Sequence, residues 1–214
     1  MNDGTEPAPR ARKRRGQGHE RVEEILAAAK ALYAEGGYDF TTTRRIAERV
    51  GVSQTALYTH FPDKDAILTA VCDRAFHDLE ARLVAAEATA GSRDRVFEAL
   101  LRAYLAFAFS VPTEYAITFM APRPAATALP PPERPGIGLH AFRRFRDQIA
   151  ALMAEGHVRE GDPDTVAQAA WAALHGLAAL LITLPRFPWV ERAALVDTLV
   201  AGLVRGHAAT TARR

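Results

Sequence analysis

The sequence predicts an all-α protein, with a small helical head at its N-terminal end and a larger helical region behind it. Three observations carry this. Apolar residues recur at helical spacing along most of the chain, as in Val22, Ile25, Leu26, Ala29, Leu32 and Tyr33, and no useful stretch alternates as a strand would. The stripes stop at Gly36-Gly37, Gly51, Gly91 and Gly156 and restart at Pro62-Asp63 or Pro112, which is helical punctuation. Third, residues 41–64, TTTRRIAERVGVSQTALYTHFPDK, read as two short helices joined by a three-residue turn and followed by the start of another.

Residues 1–18 are rich in Pro, Gly, Ala and Arg and have no apolar period, so they are expected to form a disordered basic arm. Such an arm is either a solvated tail or a strap laid along phosphates or into a minor groove. The first helix is expected from about His19 to Glu35, ended by Gly36-Gly37. A Thr cap at Thr41 or Thr42 opens the second, which places Ile46, Ala47 and Val50 on one face. Ala47 is small where two helices cross, Gly51 turns the chain, and Ser53 is a good cap for the third helix.

That third helix buries Leu57 and leaves Gln54, Thr55, Ala56, Tyr58, Thr59 and His60 outside. Amide, hydroxyl, phenol and imidazole groups on one short helix suit a DNA major groove, so this is a helix-turn-helix. Leu57, Ile46 and Ala47 read as core, Arg45 and Arg49 as solvated charges, and His60 either as a contact or as packing at the helix end.

Asp63 caps a long fourth helix, with Ile67, Leu68, Val71 and Phe76 or Leu79 inward, ending near Ala90-Gly91. Beyond it, helices are expected over 94–110 and from Pro112 through Phe119. The six prolines of residues 122–135 forbid a regular helix and read as a loop. A helix over 136–156 puts Leu139, Phe142, Phe145, Ile149 and Leu152 on one side, and a final pair covers 164–183 and 189–206. This last pair is apolar on more than one face: Val166, Ala169, Ala170, Ala173, Leu177, Leu180 and Leu181 recur, while Ala172, Gly176, Ala178 and Ala179 fill the other side. A partner chain offering the same pair would cover it, giving a four-helix interface with two-fold symmetry.

Bulk numbers restrict the function classes. A chain of 214 residues with 49% hydrophobic and 24% charged residues fits a soluble globular protein. The net charge of +2 lies wholly in residues 1–64, concentrated in Arg10, Arg12, Lys13, Arg14 and Arg15. A lone cysteine, Cys72, fits a reducing compartment and a packing role, no signal peptide is visible, and the run from Trp171 to Leu184 is too short to span a bilayer, so a cytoplasmic protein is expected. An enzyme is not expected. The seven histidines show no HExxH or His-x-x-x-His spacing, Cys72 has no CxxC partner, and no Gly-rich phosphate loop occurs, so no catalytic residues and no metal site are assigned.

The residues Gly37, Phe40, Ile46-Ala47, Gly51-Val52-Ser53, Leu57-Tyr58, His60-Phe61, Lys64 and Ile67-Leu68 give the segment 20–71 its resemblance to the DNA-binding domain of the tetracycline-repressor (TetR/AcrR) family. The segment Trp171-x-x-x-His175-Gly176 resembles a branch whose C-terminal domain is named after its Trp, His and Gly. The resemblance implies a helix-turn-helix DNA-binding domain (19–64) and a helical ligand-binding and dimerisation domain (65–214) that dimerises through its last two helices. Positions matching Thr43, Tyr58, His60 and Lys64 would contact the DNA backbone, and those matching Arg44, Gln54, Thr55 and Ala56 would face bases; Thr42, Ser53 and Thr59 complete the expected contact set. Arg suits guanine, Gln adenine, and Ala56 a thymine methyl. Thr55 departs from the small residue or Pro usual at its position, so the resemblance carries no operator sequence.

The resemblance further implies a repressor of a double-stranded DNA operator. A small-molecule effector, with no other cofactor, would release it by changing the separation of two heads set roughly 34–36 Å apart. The fourth helix is the expected lever. Tyr104, Phe107, Tyr115, Phe119, Met120, Phe142, Phe145, Trp171 and His175 are the candidate ligand-binding residues, and they point to an apolar or aromatic molecule. An aromatic set at helical spacing reads equally as core, and His175, inside an apolar helix, needs a partner. Two alternatives remain open: a helical small-molecule or partner-binding module whose head has lost operator recognition, and an activator on the same scaffold.

Overall fold

The computed structural model describes residues 17–121 and 137–209. The expected arm and the proline-rich loop over 122–135 therefore lie outside the described residues, except that Gln17 and Gly18, assigned to the arm, open the first helix. The helices are α1 (Gln17–Phe40), α2 (Thr43–Val50), α3 (Gln54–Tyr58), α4 (Lys64–Thr89), α5 (Arg93–Ser110), α6 (Pro112–Phe119), α7 (Ile137–Ala154), α8 (Pro163–Thr183) and α9 (Arg192–His207). Among the described residues there is no strand, only an isolated antiparallel bridge between Val158 and Ala208. The chain divides into two compact units, the first ending at Ile67 and the second beginning at Leu68.

In the first unit α1 lies against α2, and α2 against α3. Ile25, Leu26, Ala29 and Leu32 of α1 are buried, as are Ile46 and Ala47 of α2, Leu57 of α3 and Ile67. α1 carries a break at Gly37 (φ 74°), the left-handed region that only glycine enters without strain. The break lets Phe40 fold back over Gly36, so closely that a Cβ at position 36 would sit 2.4 Å from the Phe40 ring.

In the second unit α5 is the central helix, in contact with α6, α7, α8 and α9. Its residues Val96, Phe97, Leu100, Leu101, Tyr104, Leu105, Phe107 and Ala108 are all buried. Around it pack Leu79 and Leu83 of α4, Tyr115 of α6, Ile149 and Leu152 of α7, and Val200 of α9. Pro112 stands at the start of α6, where its missing N–H costs nothing, and α6 leaves α5 at 103°. Cys72 is a packing residue, buried, with its thiol 3.9 Å from the carbonyl of Ile117.

Three sequence expectations are corrected here. Leu139 is exposed rather than inward: the buried stripe of α7 is Ala141, Phe145, Ile149 and Leu152, and Leu139 lies two residues, about 200°, around the helix from Ala141. The buried face of α8 is Ala167, Ala170, Leu174 and Ala178, so Ala178 belongs to the core and Leu180, expected in the stripe, is 47% exposed. Small residues there let α8 approach α5 closely. Finally, α8 starts at Pro163 behind the Asp162 cap, whose carboxylate accepts from the amides of Asp164 and Thr165. At 21 residues it is long and apolar enough to cross a bilayer by length and composition, contrary to the shorter run read from sequence.

Candidate functional site

The geometry of the first unit is set by four capping contacts. Thr41 is fully buried, and its hydroxyl donates to the Gly37 carbonyl at 2.9 Å, closing the break after α1. Of the two threonines that could cap α2, Thr42 does so, its Oγ1 accepting from the Arg45 amide. Gly51 (φ 73°, ψ 34°) ends α2: its own N–H and that of Val52 satisfy the carbonyls of Glu48 and Ala47. Ser53 then caps α3 by accepting from the Ala56 amide at 3.1 Å. With Leu57 as the one buried residue of this five-residue helix, the outward side is fixed.

That side carries Gln54, Thr55, Ala56, Tyr58, Thr59 and His60, all exposed, with Tyr58 at 49%. His60 therefore does not pack into the helix end. Thr43 and Tyr58, on different helices, come together, their hydroxyls 3.3 Å apart. They form a hydroxyl pair at the junction of α2 and α3, one donating to the other and leaving one proton to offer a phosphate. Thr42 and Ser53, included in the expected contact set, spend their side-chain oxygens on capping, and Thr59 Oγ1 donates to the Ala56 carbonyl at 2.7 Å.

The cations are more committed than their sequence positions suggest. Arg49 forms a two-pronged pair with Glu35 at 2.6 and 2.9 Å, which holds the Glu35 carboxyl below its ordinary range. Arg45 lies 3.7 Å over the Phe40 ring and donates to the Phe40 carbonyl. Both stay exposed, as expected of solvated charges, while each is engaged within the unit. Lys64 sits 3.6 Å over the Tyr38 ring and donates to the Tyr38 carbonyl at 3.0 Å. The Tyr38 hydroxyl donates in turn to Asp65 at 2.6 Å, and this bond pushes the phenol up to about 12. Sequence reasoning missed this platform: Tyr38 and Lys64 are far apart in the chain, and neither spacing nor residue type signals their meeting.

Arg44, the residue expected to reach guanine, is highly exposed but pairs with Glu48 one turn on, at 2.9 Å. Glu48 competes with DNA for that guanidinium and adds a negative charge beside it. Glu48→Gln is expected to tighten DNA binding about fivefold at moderate salt, measured by fluorescence anisotropy, as one more counterion-releasing contact would. Unchanged affinity would mean that Arg44 does not approach the duplex.

In the second unit most of the candidate ligand residues form one aromatic cluster. Phe119 lies at its centre, with ring centroids 4.8 Å from Tyr115, 5.8 Å from His175, 6.4 Å from Trp171 and 6.5 Å from Tyr104. Phe142 joins through Trp171 at 6.0 Å, and Phe76, which was not among the candidates, through Phe119 at 5.5 Å. Met120 is partly buried against the same core. Phe107, wholly buried, has its ring centroid 6.2 Å from that of Tyr115, and Phe145 is 8% exposed, so both are packed into the core beside the cluster. His175 has its partner: its Nδ1 lies 2.7 Å from the Tyr115 hydroxyl. Tyr115 contacts the Tyr104 hydroxyl at 2.9 Å, and Trp171 donates to Tyr104 at 3.1 Å. Burial pushes Tyr104 up to about 12 and lowers His175 below its ordinary value. A separate open depression at the α4–α5 turn, lined by Val84, Glu87, Ala88, Gly91, Ser92, Arg93 and Val96, shares no residue with this cluster.

Comparison with known proteins follows the same division. Residues 25–71 match the family described as "Bacterial regulatory proteins, tetR family", and residues 97–203 match the "Tetracyclin repressor-like, C-terminal domain". The second match includes Trp171, His175 and Gly176. Over 51 residues the chain is 43% identical to the HTH-type transcriptional repressor Rv1474c of Mycobacterium tuberculosis, covering 24% of this chain and 27% of that one. Over 49 residues it is 49% identical to the class A tetracycline repressor protein from transposon 1721 of Escherichia coli, covering 23% of each. The matched segments thus span about a quarter of the length of these curated relatives. A solved protein of unknown function from Rhodococcus sp. RHA1 superposes with a TM-score of 0.73 at 26% identity, covering 93% of this chain and all of that one. The fatty acid degradation regulator FadR of Bacillus halodurans superposes at 0.69 with 17% identity, covering 91% and 98%, a likeness of fold.

Proposed function

The chain belongs to the tetR family of bacterial regulatory proteins, and from that premise we propose that it is a dimeric repressor released from its operator by a small apolar or aromatic molecule. It is a transcriptional regulator with a helix-turn-helix DNA-binding domain. The observation that carries the operator reading is the outward side of α3, held by a cap at Ser53 and a single buried anchor at Leu57, with Gln54, Thr55, Ala56 and Tyr58 all exposed. Gln54 at the first position of α3 reads an adenine edge, Arg44 a guanine, and Thr43 with Tyr58 grips a phosphate. Repression is the direction favoured by the relatives, since Rv1474c and the class A protein are both named repressors.

Dimerisation through α8 and α9 is supported by what α8 leaves uncovered. Ala169, Ala172 and Leu180 are exposed on it, and Leu184, Phe187 and Val190 extend the apolar surface into the connection, with Val190 64% exposed. Exposed apolar residues of this density mark an association surface rather than a solvated face. The aromatic cluster of Tyr104, Tyr115, Phe119, Phe142, Trp171 and His175 is the effector site in this reading. A cytoplasmic location agrees with a sequence that holds a single cysteine.

The test is anisotropy titration of the full chain against duplex from upstream of its own gene and against random duplex. Selective binding, relaxed by roughly tenfold to a hundredfold at one base position in Gln54→Ala, is the expected result. Equal binding to all sequences by the native chain, extended over a genome-wide selection, would refute the operator reading.

A further inference from the structure

We propose that His175 Nε2–H is the polar anchor of the effector site, and that it selects an uncharged apolar molecule bearing a hydrogen-bond acceptor, such as a ketone or ester carbonyl. The inference rests on the effector reading above and adds the ligand class to it.

The argument is one of proton direction. Indole N–H can only donate, so Trp171 donates to the Tyr104 oxygen. Tyr104 is 7% exposed and, among the described residues, the Tyr115 hydroxyl is its one remaining partner, so its own proton is satisfied by donating to Tyr115. Tyr115 is fully buried and must then donate onward to His175 Nδ1. An acceptor at Nδ1 places the imidazole proton on Nε2. The reverse assignment, with a proton on Nδ1, would leave the Tyr104 proton without an acceptor in the interior. Among the described residues Nε2 has no hydrogen-bond partner, and it is not among the sealed polar atoms. The chain thus ends in one N–H aimed away from Tyr115.

What surrounds that donor decides the ligand's charge. Phe119 and Trp171 flank His175, with centroids at 5.8 and 6.3 Å, and Trp171 keeps 39% of its surface exposed. Burial sets the proton affinities of Tyr104, Tyr115 and His175, with hydrogen bonding to Tyr115 and Trp171 also acting at Tyr104, and among the described residues no carboxylate, ammonium or guanidinium acts on any of them. An anion would find no counter-charge and a cation would meet a donor, so a neutral acceptor is the complement. On α8, Trp171 and His175 lie one turn apart; Ala169 and Leu180 sit roughly 120–140° around the helix from His175, whereas Ala172, three residues from it, borders the same face.

The experiment uses the full-length chain, 15N-labelled at histidine, with His175 assigned by its loss in His175→Phe. At neutral pH the ring is expected as the Nε2–H tautomer, and Tyr115→Phe should restore a mixture. A ring protonated on Nδ1 in the native chain would overturn the proposal. Matched probes, 2-acetylnaphthalene and 2-ethylnaphthalene, then test the class through shifts of the His175 ring nitrogens. The ketone should bind about tenfold tighter, the worth of one net hydrogen bond, and His175→Phe should erase the difference. Equal affinities in the native chain, or no His175 response to either probe at its solubility limit, would overturn it. A ketone preference at His175 with no loss of operator affinity would uphold this ligand class while refuting release by that class.

Discussion

Leu57→Ala is expected to abolish sequence-selective DNA binding at 25 °C while the second unit keeps its helical signal. α3 spans only Gln54–Tyr58, far too short to be stable alone, and Leu57 is its single buried residue. The leucine is wholly inaccessible, in a unit that also buries Ile46 and Ala47 of α2. Truncating a side chain buried to this degree costs about 2–5 kcal/mol. A head of some 50 residues has little stability to lose, so a cost of that size is comparable with the whole of it. Anisotropy on operator and random duplex would report the lost binding, and circular dichroism would report the retained helix. Selective binding of native strength in Leu57→Ala would mean that DNA itself, rather than this anchor, orders the helix. Ser53→Ala, which removes one cap bond, is the graded control at about 1 kcal/mol.

Removing residues 1–16 is expected to lower the salt slope of binding by about 4 and to weaken affinity by roughly a hundredfold to a thousandfold at 150 mM salt. The reason lies in charge placement. Residues 17–67 hold Arg21, Lys30, Arg44, Arg45, Arg49 and Lys64 against Glu20, Glu23, Glu24, Glu35, Asp39, Glu48, Asp63 and Asp65. Three of those arginines are also paired within the unit, Arg21 with Glu24, Arg44 with Glu48 and Arg49 with Glu35. A head that is net acidic, with its guanidiniums engaged, is a poor partner for phosphates by itself. Arg10, Arg12, Lys13, Arg14 and Arg15 reverse that balance. The deletion stops before Gln17 because α1 begins there. Titrations from 50 to 200 mM KCl decide the matter; an unchanged slope would make the segment a solvated tail.

The head was the more legible half, and the reason is local chemistry. Thr42, Gly51 and Ser53 each act within three or four residues of their own position: an N-cap, a left-handed turn and a second N-cap. Short-range hydrogen bonding of that kind is written in residue order, so helix ends there follow from sequence alone. The buried face of α1 was legible for a related reason, since a 3.6-residue stripe of large apolar side chains leaves one way to turn the helix. Where the stripe was ambiguous, as with Leu139 against Ala141 or Leu180 against Ala178, burial went to the alanine.

Side-chain partnerships across the fold were not legible. Tyr38 under Lys64, Glu35 against Arg49, and the chain from Trp171 through Tyr104 and Tyr115 to His175 join residues 11 to 67 positions apart. Sequence by itself determined the helical class, the helix-turn-helix and the residues its reading helix turns outward, because caps, turns and apolar period operate over a few residues. Only the tertiary structure decided which cations are already engaged, which aromatics are core and which way the protons run to His175, because those depend on distances that chain separation does not encode.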